Sequence, residues 1–267
     1  MQLRMTGRGL ERGKSMSQEK TRCKSIQDLL KNMPELDKPA PAMSAEELMM
    51  QVAEISRKAA QTLADERKAN RQRHITEMLR RSALPRRFSG ARMMDCKRTQ
   101  APAYAQAREF ISGFRARLET GSGMVVWGDV GTGKTHLVCA IANELIAQGH
   151  SAMYCTALEA VTLVKSTWKR GSNGLTEYDV YGRFGDPELL IMDEIGVQMG
   201  SDFERMVLTS IADTRSRNCM PTIIVSNLDL SGIYELIGER MFDRLVGFDA
   251  KIVRMEGRSL RLNTVAA

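Results

Sequence analysis

The chain reads as an α/β protein: a mostly parallel five-stranded sheet covered by helices on both faces, preceded by a helical N-terminal region. Two observations predict this. From residue 86 onward, short apolar runs alternate with helix-like segments, whereas residues 1–85 are rich in Met, Lys, Arg and Glu and show no strand pattern. Residues 128–135, Gly-Asp-Val-Gly-Thr-Gly-Lys-Thr, complete a phosphate-binding loop set between an apolar run and a helix-like stretch.

Taken in order, residues 1–42 read as a basic, largely disordered tail and linker, with Met5 and Met16 as alternative starts. Ile26, Leu29, Leu30 and Met33 could make one short amphipathic helix there, and Pro34, Pro39 and Pro41 mark the linker. Residues 43–85 read as a helical partner-binding region. Ser44 and Glu47 have the spacing of a capping box, and Leu48, Val52, Ile55, Ala59 and Leu63 recur at helical spacing. The pattern continues through Ile75, Met78 and Leu79 to Pro85, as one long helix or a bent pair. Its narrow apolar stripe suits a partner helix, and a hairpin packed on the second domain suits it equally.

Residues 86–267 read as the nucleotide-binding domain. Apolar runs at 124–127, 152–155, 189–192 and 222–226, with a weaker fifth at 251–255, are short and separated by helix-like segments, which indicates a mostly parallel sheet covered on both faces. Glycines at 128, 131 and 133 let the loop wrap with its N–H groups inward, so that Gly128, Asp129, Val130, Gly131, Thr132, Gly133, Lys134, Thr135 and His136 form the expected nucleotide contacts. Lys134 would reach the β- and γ-phosphates of ATP or ADP, and Thr135 would hold Mg²⁺.

The run Leu189–Met192 ends in Asp193 and Glu194, which a buried strand delivers to its C-terminal edge beside that loop. Asp193 would coordinate Mg²⁺ and Glu194 would act as general base toward water. The strand 222–226 places Asn227 at the same edge, to orient the water. Arg240 and Arg244 stand four apart on one helical face; they are either solvated ion-pair residues or a source of an arginine finger for a neighbouring subunit. Arg258 and Arg261 follow in the tail. Lys165, Trp168 and Lys169 combine a ring with cations, the composition of a single-strand stacking platform, and Phe203 is a second candidate ring. For both rings partial burial as packing residues is the alternative. Arg67, Lys68, Arg71, Arg73, Arg80, Arg81, Arg86 and Arg87 form a basic stretch, either a solvated helix face or a surface for nucleic acid or an acidic protein.

Composition limits the rest. A net charge of +7 favours a polyanionic partner, and no apolar run approaches the roughly 20 residues that cross a membrane. The five cysteines are scattered, as in a reducing cytoplasmic compartment, and none is spaced with a histidine as in a zinc site.

Together the segments LPRRF, GDVGTGKTHL, LLIMDEIG, PTIIVSNL and IGERMFDRL resemble the AAA+ ATPases of the DnaC-type helicase-loader group over roughly residues 84–262; the IstB-type transposition helper ATPases are close relatives. The resemblance implies a RecA-like AAA+ core, self-association driven by ATP, a hexameric replicative helicase as partner through residues 1–85, and single-stranded DNA. It makes Lys134 and Thr135 the Walker A pair, Asp193 and Glu194 the Walker B pair, Asn227 sensor 1, and Arg240 or Arg244 the trans-acting finger. Arg261 takes the place of sensor 2, and Phe203 that of a strand-contacting ring. A helper that assembles on duplex DNA is the alternative, and a metabolic P-loop kinase would need neither Asn227 nor the arginine helix.

Overall fold

The computed structural model describes residues 44–95, 100–168, 174–196, 201–247, 249–257 and 259. The tail over 1–42, Cys23, Cys96, Lys169, Arg258 and Arg261 lie outside the described residues. The chain divides into two units between Ala60 and Gln61.

In the first unit, Ser44 opens a helix as its spacing predicts: Glu47 N–H donates to Ser44 Oγ at 3.2 Å, and Ser44 N–H donates to Glu47 Oε2 at 2.9 Å. The helix α1 spans Ala45–Arg81. Leu48, Val52 and Ile55 stand 55%, 56% and 66% exposed.

In the second unit the last turns of α1 belong to the core that covers the sheet. Met78 is buried there and Ile75 packs beside it. The chain then turns inward, and the carbonyl of Ser82 accepts from the Tyr154 N–H at 2.7 Å. Helices α2 (Ala101–Ser112) and α3 (Phe114–Thr120) lead to β1, Met124–Gly128. The chain continues through α4 (Lys134–Gln148), β2 (Ala152–Thr156), α5 (Ala157–Ser166), α6 (Glu177–Gly185) and β3 (Leu189–Ile195). It ends with α7 (Asp202–Arg217), β4 (Thr222–Ser226), α8 (Leu230–Ile237), α9 (Glu239–Val246) and β5 (Lys251–Met255). The strands lie in the order β2-β3-β4-β1-β5, and every pairing among the described residues is parallel.

Because successive strand residues face opposite sides, each apolar run feeds two cores. Met124, Val126, Leu189, Ile191, Ile223 and Val225 pack with α2 and α4; Val125, Leu190, Met192 and Ile224 pack with α5, α7 and α9. That double burial is why the runs are apolar throughout instead of alternating.

At the N-terminal edge of the sheet, Arg215 is wholly buried at the end of α7. Its guanidinium donates to the carbonyls of Phe184 at 2.8 Å, Pro187 at 2.9 Å and Pro221 at 2.7 Å, and to Thr222 Oγ1 at 2.9 Å. It thus joins the loop before β3, the loop before β4 and α7. Replacing it leaves several buried acceptors unpaired, each costing about 1–3 kcal/mol. Arg215→Met is therefore expected to lower unfolding free energy by about 3 kcal/mol or more in urea denaturation, with far-UV circular dichroism unchanged in the native baseline.

Candidate functional site

The C-terminal edge of the sheet carries the phosphate loop. At Gly128 φ is +139°, and a Cβ there would run into the carbonyl oxygen of Met255 on β5. At Gly131 φ is +83°, and a Cβ would strike the Ser259 side chain. Both positions therefore need glycine on steric as well as torsional grounds. Gly133 caps α4 in the left-handed region, so Lys134 and Thr135 open the helix, where free N–H groups and the helix dipole favour an anion. Lys134 is 7% exposed, and its ammonium donates to the carbonyls of Gly128 at 2.7 Å and Asp129 at 2.8 Å. Thr132 is wholly buried and braces the loop from inside. Its hydroxyl donates to the Asp129 carbonyl at 2.9 Å, and its own carbonyl accepts from Gln100 Nε2. Asp129 and Val130 are exposed on the loop's outer turn.

The acids of β3 meet this loop. Thr135 Oγ1 donates to Asp193 Oδ2 at 2.8 Å, and Tyr154 on β2 donates to the same oxygen at 2.9 Å. Burial, followed by the charge of Asp193, pushes the Tyr154 phenol far above its ordinary value, so it stays a donor. The same two causes push the Cys139 thiol on α4 up to about 12. Glu194 adopts φ +60°, an uncommon conformation for a residue with a Cβ, where the β3–β4 register breaks between Met192 and Ile195. The break turns its exposed carboxylate out of the sheet and into the cleft. Ser226 closes the break: its hydroxyl donates to the Ile195 carbonyl at 2.6 Å and accepts from the Leu228 N–H at 3.0 Å. Asn227 follows at the cleft wall.

These residues line a cleft of about 440 Å³, whose opposite wall is Arg87, Phe88, Tyr104 and His136. His136 Nδ1 lies 2.8 Å from the Tyr104 hydroxyl and its Nε2 3.8 Å from Asp95; Phe88 meets the imidazole edge-on. Volume and lining suit a nucleotide, with phosphates at the loop and a base at the aromatic wall. Lys134, Thr135, His136, Asp193, Glu194 and Asn227 all converge here. Tyr154, Gln100 and Tyr104 belong to no motif, and Ser226 stands in PTIIVSNL without a role of its own; the fold brings Gln100, Tyr104 and Ser226 to the cleft and Tyr154 to Asp193.

Neither arginine of α9 lines that cleft. Arg244 is half-buried in an ion pair with Asp213, whereas Arg240 is exposed. On a separate surface, Trp168 and Phe203 meet edge to face with ring centroids 4.9 Å apart, and Lys165 Nζ lies 5.2 Å from the Phe203 centroid. Trp168 is 59% exposed and its indole N–H donates to Glu177; Phe203 is half-buried against the core, as its packing alternative required. In the basic stretch, Arg80 and Arg81 both bind Glu77, Arg71 donates to the Ala147 carbonyl, and Arg87 belongs to the cleft.

A family model described as IstB-like ATP binding protein matches residues 32–267. The replicative helicase loader DnaC of Escherichia coli (strain K12) is 32% identical over 146 residues, which are 55% of this chain and 58% of that protein. The chain thus spans a little over half the length of the relatives it matches. A crystal structure of the DnaC helicase loader superposes with TM-score 0.56 at 20% identity, over 64% of this chain and 100% of that one. The replication initiator DnaA bound to AMPPCP and single-stranded DNA gives TM-score 0.54 at 18% identity, over 69% of this chain and 55% of that one. At these identities the structural likeness is one of fold alone.

Two outcomes follow from the packing of the loop. Gly128→Ala should abolish nucleotide binding in a fluorescent-analogue titration, because the added carbon displaces β5 backbone. Iodoacetamide at pH 8 should modify half-buried Cys219 in the native protein and spare buried Cys139, whose thiol ionises near 12, as peptide mass spectrometry can show.

Proposed function

Because the chain belongs to the IstB-like ATP binding family, we propose that it is an ATP-dependent helicase loader of the DnaC type. In this reading it holds a hexameric replicative helicase through its N-terminal region and single-stranded DNA through its core, and it hydrolyses ATP to let go. The single observation that carries the ATPase part is the convergence of Lys134, Thr135, Asp193, Glu194 and Asn227 on one cleft. Thr135 and Asp193 are hard oxygen donors 2.8 Å apart beside the loop, a pair that fits magnesium, which takes few protein ligands and keeps phosphate and water for the rest. When bound, magnesium would offset charge on the β- and γ-phosphate oxygens.

The protein's own groups divide the work. Lys134 neutralises phosphate charge, and the loop N–H groups orient the chain of phosphates. Glu194, turned out of the sheet, accepts a proton from the attacking water, which the Asn227 amide holds in line. Arg240, exposed and outside the lining of its own cleft, is the candidate finger for a nucleotide held by another subunit; Arg244 is committed to Asp213. That distinction favours Arg240 as the finger and supports ATP-driven self-association. Trp168, Phe203 and Lys165 supply a stacking face with a cation beside it for single-stranded DNA. Leu48, Val52 and Ile55 supply the apolar stripe for the helicase. Lys169 and Arg261 remain parts of the proposal that rest on sequence alone.

Lys134→Ala should lose ATP binding in calorimetry, whereas Glu194→Gln should bind ATP and stall turnover; normal hydrolysis by Glu194→Gln would remove Glu194 from the base role. Arg240→Ala should lower turnover about a thousandfold with nucleotide affinity kept, the range seen for arginine fingers. Trp168→Ala should weaken binding of an oligo-dT strand by 1–3 kcal/mol, roughly 5–150-fold in fluorescence anisotropy. The full chain carrying Leu48→Ser, Val52→Ser and Ile55→Ser should fail to co-elute with a replicative helicase while still binding ATP. Tighter binding to duplex than to single strand would turn the reading to a transposition helper.

A further inference from the structure

Tyr154 lies on the edge strand β2, outside every motif that marks the nucleotide site, yet its phenol reaches the acid at the centre of that site. Its O–H donates to Asp193 Oδ2 at 2.9 Å, the oxygen that also accepts from Thr135 Oγ1 at 2.8 Å. Asp193 Oδ1 accepts from the Glu194 N–H at 2.7 Å. A carboxylate oxygen accepts through two lone pairs. Oδ2 is therefore filled from within the protein, and Oδ1 is the oxygen with capacity left.

The phenol is held firmly where it stands. Tyr154 is 8% exposed, its ring sits in the core beneath α4, and its backbone N–H is bound to the Ser82 carbonyl at 2.7 Å. The edge of the sheet is thus pinned from outside by the chain that leaves α1, and the hydroxyl is presented from a rigid strand. Packing alone does not call for that hydroxyl, because phenylalanine would fill the same space.

The geometry points to Tyr154 as a positioning residue for the magnesium-holding carboxylate: by sharing Asp193 Oδ2 with Thr135 it decides which oxygen stays available to the cation. Partners of metal ligands at this remove fix ligand orientation, and their loss commonly weakens metal affinity about 10–100-fold. The inference rests on the reading of the cleft as a magnesium-nucleotide site.

The test uses Tyr154→Phe in the full chain, with Mn²⁺ as spectroscopic probe and AMPPCP as nucleotide. Mn²⁺ binding to the protein–AMPPCP complex is followed by electron paramagnetic resonance, beside AMPPCP affinity in EDTA and the melting temperature. The half-saturating Mn²⁺ concentration should rise roughly tenfold with an altered bound-Mn²⁺ spectrum, while metal-free nucleotide affinity stays unchanged. Placing 4-aminophenylalanine at position 154 returns a donor and should restore most of the Mn²⁺ affinity. Unchanged Mn²⁺ affinity and spectrum in Tyr154→Phe overturn the role of Tyr154 and leave the nucleotide reading standing. If Tyr154→Phe lowers the melting temperature, the aminophenylalanine variant decides: stability regained without Mn²⁺ affinity means packing only and overturns the role. A wild-type chain that binds no Mn²⁺ with AMPPCP overturns the nucleotide reading, and the role of Tyr154 with it.

Discussion

One hydrogen bond, from Thr135 Oγ1 to Asp193 Oδ2 at 2.8 Å, holds the site together across 58 positions of sequence. Its donor opens α4 and its acceptor lies near the end of β3, strands whose common neighbour is β4. Parallel strands stand about 4.8 Å apart, so β1 and β3 run roughly 10 Å from each other with β4 in the gap. The phosphate loop carries the chain over that gap, and the first turn of α4 sets the hydroxyl down beside the acid. Asn227, leaving β4, lines the same cleft. The strand order β2-β3-β4-β1-β5 is thus a chemical arrangement as much as an architectural one.

The two ends of the sheet are built on opposite principles. At the N-terminal end, Arg215 satisfies carbonyls of the last turn of α6 and of the loops before β3 and β4, and Glu188 accepts from the Ser151 N–H at 2.7 Å and lies 3.1 Å from His150 Nδ1. Polar groups there are consumed by the fold. At the C-terminal end, Glu194 is held at positive φ and Ser226 bridges a broken register. A backbone conformation of that kind costs about 1–3 kcal/mol and persists because the surrounding strands over-determine it. The stapled end lets the other keep unspent hydrogen-bonding capacity.

Much of this was legible in the sequence for physical reasons that can be named. A strand buried on both faces must be apolar at consecutive positions, so Val125–Val126 and Leu190–Ile191 declared themselves. The phosphate loop needs glycine where neighbours crowd it, and the acids need a strand to carry them, so Lys134, Asp193 and Glu194 could be placed by spacing alone. Tyr154 and Ser226 were invisible because their partners are set by strand register, which no local pattern encodes. Arg215 carries no signal in the sequence, since a single arginine at a helix end is ordinarily solvated. The split between Arg240 and Arg244 needed Asp213, 31 positions upstream, which a reading confined to one helix could not supply. For α1 the apolar periodicity was plain; that its last turns serve the core, through Met78 and Ser82, was set by where the chain turns.

The contact of Gly128 with Met255 bears on how the chain is made. Strand β1, which carries the phosphate loop, pairs with β4 and β5, which begin only at Thr222 and Lys251. During synthesis, Met124–Trp127 leaves the ribosome with neither neighbour yet in existence, and its amides and carbonyls must stay hydrated or sheltered by a chaperone until both arrive. A nucleotide can therefore not template folding from the front, since the loop that would grip it takes shape only after Met255 has emerged.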